Sequence, residues 1–207
     1  LASSKRCKGC CDMHTYSGEE RGRLAALGAI AILAVVLAMG ANWVFSQQQA
    51  IPAWLFSAPT VAGVFGLLYL VMDKWAWKWK PIRSLGLIDT PLIEGTYTGT
   101  LTTTYNGVTR PVRLTIDQTW TRIAIRFEVT EPETSTSYSM TAGLGLTGHH
   151  RARLTYTYRN QTRPGIASED MNDHDGTAEL EFHDNGAVSG RYYNFRGRQG
   201  TLDLTKA

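Results

Sequence analysis

From Leu24 to Met72, 49 consecutive residues, no side chain carries a charge. Such a stretch excludes a wholly soluble protein. It divides into two apolar runs, Leu24–Phe45 and Ile51–Met72, of 22 residues each. At about 1.5 Å per residue a helix of that length reaches roughly 33 Å, enough to cross a hydrocarbon core of about 30 Å. The first run is too long for a signal peptide, and a second follows at once. The joining segment, Ser46-Gln47-Gln48-Gln49-Ala50, is short and uncharged. The sequence therefore predicts a helical hairpin whose outer ends lie on one side.

Charge assigns that side. Lys5, Arg6, Lys8, Arg21 and Arg23 precede the first run, Lys74, Lys78, Lys80 and Arg83 follow the second, and the tip has none. The positive-inside rule puts both ends in the cytoplasm. Trp43 and Trp54 flank the tip and Trp75, Trp77 and Trp79 the exit, where amphipathic indoles favour the interface. Small residues recur at fours, in Ala25/Ala29, Ala34/Ala38 and Ala58/Ala62/Gly66. This spacing allows close backbone approach, within one hairpin or between protomers. Neither run holds an Asp, Glu, Lys, Arg or His, which argues against a proton relay. The layout expected is an N-terminal tail over 1–23, two transmembrane helices over 24–72, an interfacial linker over 73–91 and a second domain over 92–207. In the tail, Cys7, Cys10 and Cys11 with His14 lack a second ligand pair, so no metal is expected. A further reading takes the residues before Met13 as an upstream extension and Met13 as the natural start.

After Pro91 the apolar period changes to two. Val112, Leu114 and Ile116 alternate with polar residues, as do Ile123, Ile125, Phe127 and Val129. So do Tyr138, Met140, Ala142 and Leu144, then Leu154, Tyr156 and Tyr158, then Ala178, Leu180 and Phe182. With Tyr97 and Leu101, which alternate with Thr96, Thr98, Thr100 and Thr102, and runs near 187–195 and 200–205, this makes eight half-buried strands. Asn106-Gly107 and Asn185-Gly186 are hairpin signals. The apolar parity slips near Gln118-Thr119-Trp120, which implies a tight turn or bulge. No helical pattern intervenes. The expected fold is a transmembrane α-helical hairpin plus an all-β domain, an eight-stranded antiparallel up-and-down, lipocalin-like barrel, with a two-sheet sandwich as the alternative.

No enzyme motif is present, so an enzyme is not expected. His149-His150 has no carboxylate at ligand spacing. The stretch Glu169–Asp175 mimics a calcium loop but has Asp175 where the sharp turn demands Gly. The strand half has twelve basic residues, eleven of them Arg, with seven Tyr, three Phe and Trp120. Guanidinium forks match phosphates and aromatic faces stack on bases. Residues 88–207 carry 12 basic and 14 acidic residues, a net −2, which argues against DNA or RNA as a partner.

The motifs Gly95-Thr96-Tyr97-Thr98-Gly99, Gln118-Thr119-Trp120, the alternating Ser135, Ser137 and Ser139, Leu154-Thr155-Tyr156-Thr157-Tyr158-Arg159-Asn160, His174-Asp175-Gly176, and Gly190-Arg191-Tyr192-Tyr193-Asn194-Phe195-Arg196-Gly197-Arg198-Gln199-Gly200 follow the hairpin in that order. In this layout, over 13–207, the chain resembles the two-transmembrane, β-strand-rich effectors of bacterial cyclic-oligonucleotide antiphage systems (CBASS). Tyr97 departs from the Trp expected in the opening strand. The resemblance implies a cytoplasmic barrel that binds a cyclic dinucleotide from a cognate nucleotidyltransferase (CD-NTase), with no cofactor. It also implies ligand-driven homo-oligomerisation of the hairpins, disruption of the inner-membrane lipid and abortive-infection cell death. Strand register and these motifs together point to Trp120, Tyr156, Tyr158, Tyr193 and Arg196 as ligand-binding residues, then Gln118, Asn160 and Arg191, and to Ala58, Ala62 and Gly66 as the transmembrane packing face. The alternative is a membrane-anchored barrel that holds an apolar ligand or serves as an assembly scaffold.

Overall fold

The computed structural model describes residues 13–18, 20–46, 54–86, 88–104, 107–147, 151–166 and 172–207, with 20–21, 45–46 and 54–60 as backbone alone. Cys7, Cys10, Cys11, Asn106, His149, His150, Glu169, Asp170, the hairpin link and the side chain of Ala58 lie outside what is described. The chain forms two compact units, a helical one over Glu19–Thr90 and a sheet unit that joins Pro91–Ala207 to the segment ending at Gly18.

The helical unit contains α1 (Glu20–Ser46), α2 (Trp54–Lys74), a 3-10 turn at Ala76–Lys78 and the short α3 (Lys80–Ser84). Within it Gly22–Val44 is long and apolar enough to cross a membrane. The helices α1 and α2 pack together, and α1 buries Ala26, Ile30, Ala34 and Ala38, one residue per turn along a single face. Ile32, Val36, Met39 and Trp43 of α1 are exposed. Ala34/Ala38 is therefore a packing pair inside the hairpin. Ala25 and Ala29 are exposed, as is Ala62, and Gly66 meets open space.

The sheet unit has nine strands, not eight. They are β1 (His14–Ser17), β2 (Gly95–Thr103), β3 (Thr109–Gln118), β4 (Arg122–Val129), β5 (Ser135–Leu146), β6 (Ala152–Thr162), β7 (His174–Phe182), β8 (Ala187–Asn194) and β9 (Gln199–Lys206). The strands β2 to β9 correspond to the eight expected from the sequence. Each pairs antiparallel with its successor, and β2 pairs with β9, so the ladder closes into a barrel. The added strand, β1, comes from the residues read above as tail. It runs antiparallel to β4 (His14↔Ile123, Thr15↔Arg122) and parallel to β5 (Tyr16↔Ala142, Ser17↔Gly143). The all-antiparallel expectation is corrected at this one place.

The reason lies in β5. Its register against β6 shifts between Ser139 and Thr141, an irregularity of the bulge type. Ahead of it Ser137 and Ser139 are buried, and beyond it Ala142 and Leu144 turn inward while Tyr138 and Met140 point away. The sequence reading, which put Tyr138, Met140, Ala142 and Leu144 on one face, missed this parity change. Direct β4–β5 pairing is limited to Arg126↔Tyr138, Phe127↔Ser137 and Glu128↔Thr136. Where the two strands part, β1 supplies the backbone partners that their edges need.

The apolar core fills the end of the barrel that holds Tyr97, Ile116, Ile123, Leu144, Leu154, Leu180, Val188 and Leu204. Tyr97 meets Phe182 edge to face at 5.5 Å. Closure itself depends on a glycine. A Cβ on Gly99 of β2 would run into the backbone of Asp203 and Leu204 on β9. Gly99→Ala should cost about 1–3 kcal/mol as overpacking against backbone that cannot yield. Gly145→Ala, which meets nothing, should stay within about 0.5 kcal/mol of wild type. Thermal melts of the full chain in detergent compare the two, and equal stability would show that the β2–β9 contact is not tight.

Candidate functional site

At the other end the barrel is open. Each of the strands β2 to β9 contributes to this mouth. Leu101 and Thr103 come from β2, Arg110 from β3, Phe127 and Val129 from β4, Ser135 and Ser137 from β5, Tyr156, Tyr158 and Asn160 from β6, His174 and Ala178 from β7, Tyr192 and Asn194 from β8, and Leu202 from β9. With Arg198, from the turn before β9, they line a cavity of about 350 Å³, within the usual size range of small-molecule sites.

The wall is aromatic because glycines make room for it. Tyr158 of β6 lies opposite Gly176 of β7, and Tyr192 of β8 opposite Gly200 of β9. A Cβ on either glycine would strike the facing tyrosine ring. Tyr156 and Tyr158 stand 6.2 Å apart, centroid to centroid. Burial, and then each one's neighbouring phenol, push both hydroxyls well above the ordinary tyrosine range. At the closed end burial alone pushes Tyr97 up to about 12, and its hydroxyl donates to the Ile93 carbonyl at 2.8 Å.

Polar groups gather toward the mouth. Asn160 Nδ2 donates to Ser137 Oγ at 2.8 Å. His174 Nδ1 donates to the Asn172 carbonyl at 3.0 Å, and its Nε2 is a second hydrogen-bonding site on the ring. The β8–β9 turn is held by Asn194, whose Oδ1 accepts the backbone N–H groups of Arg196 (3.0 Å) and Arg198 (3.1 Å). Arg110 and Arg198 are half-buried in the lining, and Arg110 has no carboxylate partner among the described residues. The cavity thus combines flat aromatic faces, neutral hydrogen-bonding groups and two guanidinium groups.

Of the residues picked from the sequence, Tyr156, Tyr158 and Asn160 line the cavity together. Arg196 stands in the turn at the same end, outside the lining. Tyr193 faces outward, because the register that points Tyr192 inward turns its neighbour to solvent. Arg191 is on the outer wall, where it pairs with Glu179 at 2.7 Å. Gln118 and Trp120 are buried at the closed end. The sequence reading missed Tyr192, Arg110, Arg198, His174 and Ser137. For Tyr192 the signal was the glycine across the ladder. Among the acids of the calcium-like stretch, Asp175 Oδ1 accepts from Arg159 Nε at 2.9 Å and Asp173 accepts the Thr162 N–H at 2.8 Å. The described residues contain no metal-binding cluster.

The fold and site define a class, a β-barrel with a polar, aromatic cavity in one chain with a helix long and apolar enough to cross a membrane. Residues 88–206 match the family model described as the Cap15 cyclic dinucleotide receptor domain, and 27–78 match the Cap15 TM helices. The chain is 30% identical over 194 residues to CD-NTase-associated protein 15 of Yersinia aleksiciae, spanning 89% of this chain and 90% of that protein. The chain belongs to the Cap15 family, with a cyclic dinucleotide receptor domain and transmembrane helices, and so to the CBASS effectors.

The tyrosines generate a pH dependence. In the unfolded chain Tyr97 ionises near 10, and in the folded barrel near 12. The protonated form is favoured by folding, so this stabilisation is complete below pH 10 and is lost as pH rises through 12. Tyr156 and Tyr158 act in the same sense. Tyrosinate absorbance and circular dichroism of the full chain in detergent should show these phenols ionising only as the barrel unfolds. Complete titration with an intact barrel spectrum would contradict their burial.

Proposed function

We propose that the open-end cavity is the receptor site for a cyclic dinucleotide made by a cognate CD-NTase. On this reading occupancy drives the transmembrane hairpins to assemble, the inner membrane is disrupted and the infected cell dies. The observation that carries it is the lining. Tyr156, Tyr158 and Tyr192 offer stacking faces for bases, Asn160 and His174 offer hydrogen bonds, and Arg110 and Arg198 offer charge to phosphates. The half-buried guanidinium of Arg110, which has no carboxylate partner among the described residues, favours an anionic occupant over the apolar-ligand alternative. The family's receptor and TM descriptions and the CD-NTase in the Yersinia relative's name support the same partner and setting. Arg198 is the first choice for phosphate contact and Arg196, in the same turn, the second.

Losing one charged phosphate contact costs about 1.5–3 kcal/mol, roughly 10- to 150-fold in affinity. Arg198→Ala should weaken binding of a radiolabelled cyclic dinucleotide by that factor in full-length protein with an unchanged melt. Wild-type affinity in the folded variant would remove Arg198 from the site. A panel of cyclic dinucleotides that all fail to bind wild type would remove the receptor reading.

The basic flanks and uncharged tip support two membrane crossings with both ends cytoplasmic. Ala62 and Gly66, left open by the hairpin, support an assembly face on α2. Crosslinking in membranes should show ligand-dependent oligomers for wild type and none for an inserted Gly66→Ile variant of equal ligand affinity. Protease added outside spheroplasts that carry the full-length protein should spare the barrel. Full assembly of Gly66→Ile would show that another face is used, and barrel digestion without lysis would reverse the orientation.

A further inference from the structure

The closed end of the barrel holds a junction that the ligand cavity does not use. The chain leaves the barrel unit for the helical unit after Gly18 and rejoins it at Pro91. Both flanks of that excursion meet on one buried side chain, Gln118. Its Oε1 accepts the Ile93 N–H at 3.0 Å. Its Nε2 donates to the Pro91 carbonyl at 2.9 Å and to the Tyr16 hydroxyl at 3.4 Å. Tyr16, buried in β1, donates in turn to the Trp120 carbonyl at 2.8 Å. A buried carboxamide needs partners for its oxygen and its nitrogen, and here those partners are the two chain segments that bound the helical unit.

The same β1 lies in the seam that the cavity shares. Phe127 and Ser137, the middle pair of the short β4–β5 ladder, line the cavity. One step along β5, Ser139 Oγ accepts the Ile125 N–H at 3.0 Å and meets His14 Nε2 at 2.8 Å. His14 Nδ1 donates to the Thr15 carbonyl at 3.1 Å, so in the neutral ring Nε2 accepts from the serine. Beyond Ser139 the two strands separate and β1 pairs with both. A change in β4–β5 spacing at the cavity therefore moves β1, and β1 ends at Ser17, just before Glu20 opens α1.

We propose that docked β1, with Tyr16 and Gln118, is the coupling element that carries occupancy of the cavity to the two chain segments leading into and out of the helical unit. This rests on the cavity being the ligand site. The residues of the junction are positioning residues and touch no ligand. The element works while docked, because the Tyr16 hydroxyl bridges Gln118 and Trp120 only with β1 in the seam. It also gives a role to the serine run of β5 and to the Gln118-Thr119-Trp120 segment, neither of which the cavity fully absorbs.

The test uses full-length protein in dye-loaded phosphatidylethanolamine/phosphatidylglycerol vesicles, with a panel of cyclic dinucleotides as probes. Binding and leakage are read separately. Tyr16→Phe keeps the ring in the core and deletes the hydroxyl. It should bind the active dinucleotide as wild type does and raise the concentration for half-maximal leakage roughly tenfold, inside the usual 5- to 150-fold range of coupling effects. A second variant guards against loss of fold. Thr15→Cys with Arg122→Cys, on a background with Cys7, Cys10 and Cys11 changed to Ser, pins β1 to its paired position on β4 when oxidised. The oxidised protein should bind and leak as wild type does. Wild-type leakage by Tyr16→Phe would overturn the proposal, as would an equal fall in its affinity and its leakage. Binding without leakage by the oxidised protein would mean that β1 must undock, which also overturns it. If wild type binds no member of the panel, the cavity reading fails first and the coupling falls with it, before any variant is compared.

Discussion

The seam between β4 and β5 is the constraint on which the rest of this barrel depends. A closed ladder satisfies every backbone donor and acceptor only if each strand keeps a neighbour along its length. The register shift between Ser139 and Thr141 breaks that condition, and direct pairing survives for three residue pairs. The gap is filled by β1, which sits directly ahead of α1 in the chain. One irregularity in β5 thereby draws the N-terminal segment into the barrel wall. It also sets a short, serine-lined stretch beside the cavity, where Ser137 holds Asn160 and Ser139 bonds with His14.

The two ends of the barrel differ in what fills them. At the closed end Ile116, Ile123, Leu154, Leu180 and Val188 are fully buried, each contributing about 1.5–3 kcal/mol of transfer free energy. That packing lets the open end keep a cavity in place of a core. There Tyr158 and Tyr192 sit over glycines, so aromatic surface is presented without crowding the lumen. The outer wall is a separate surface. Arg191–Glu179 and Arg159–Asp175 pair across neighbouring strands in solvent, where such bridges contribute little to stability.

A receptor that acts on a membrane needs a route from ligand to helices, and a ligand moves an equilibrium only as far as its affinities for two states differ. Direct β4–β5 pairing is short, and the strand that fills this seam precedes the first helix in the chain. The helical unit divides its small residues between two uses. Ala26, Ala34 and Ala38 are buried in the face that α1 turns to α2, while Ala25, Ala29 and Ala62 are left open.

The sequence by itself determined the apolar helices, the eight consecutive strands, the hairpin turn at Asn185-Gly186 (Gly186 at φ +81°) and the family. These are local signals, carried by period, run length, turn chemistry and motif order. It also identified Tyr156, Tyr158 and Asn160, whose β6 strand has an unbroken alternation that fixes which side chains enter the lumen. Where the alternation breaks, the sequence could not choose. The bulge in β5 reverses which residues face inward, and β8 offers adjacent tyrosines of which only Tyr192 lies opposite a glycine. Tertiary structure alone decided that His14–Ser17 is a strand, since four residues have no period to read and acquire their partners only when β4 and β5 part. It also moved Gln118 and Trp120 from the ligand to the closed end. A buried amide looks the same in sequence whether it faces a phosphate or two segments of its own chain, and only the closed barrel shows which.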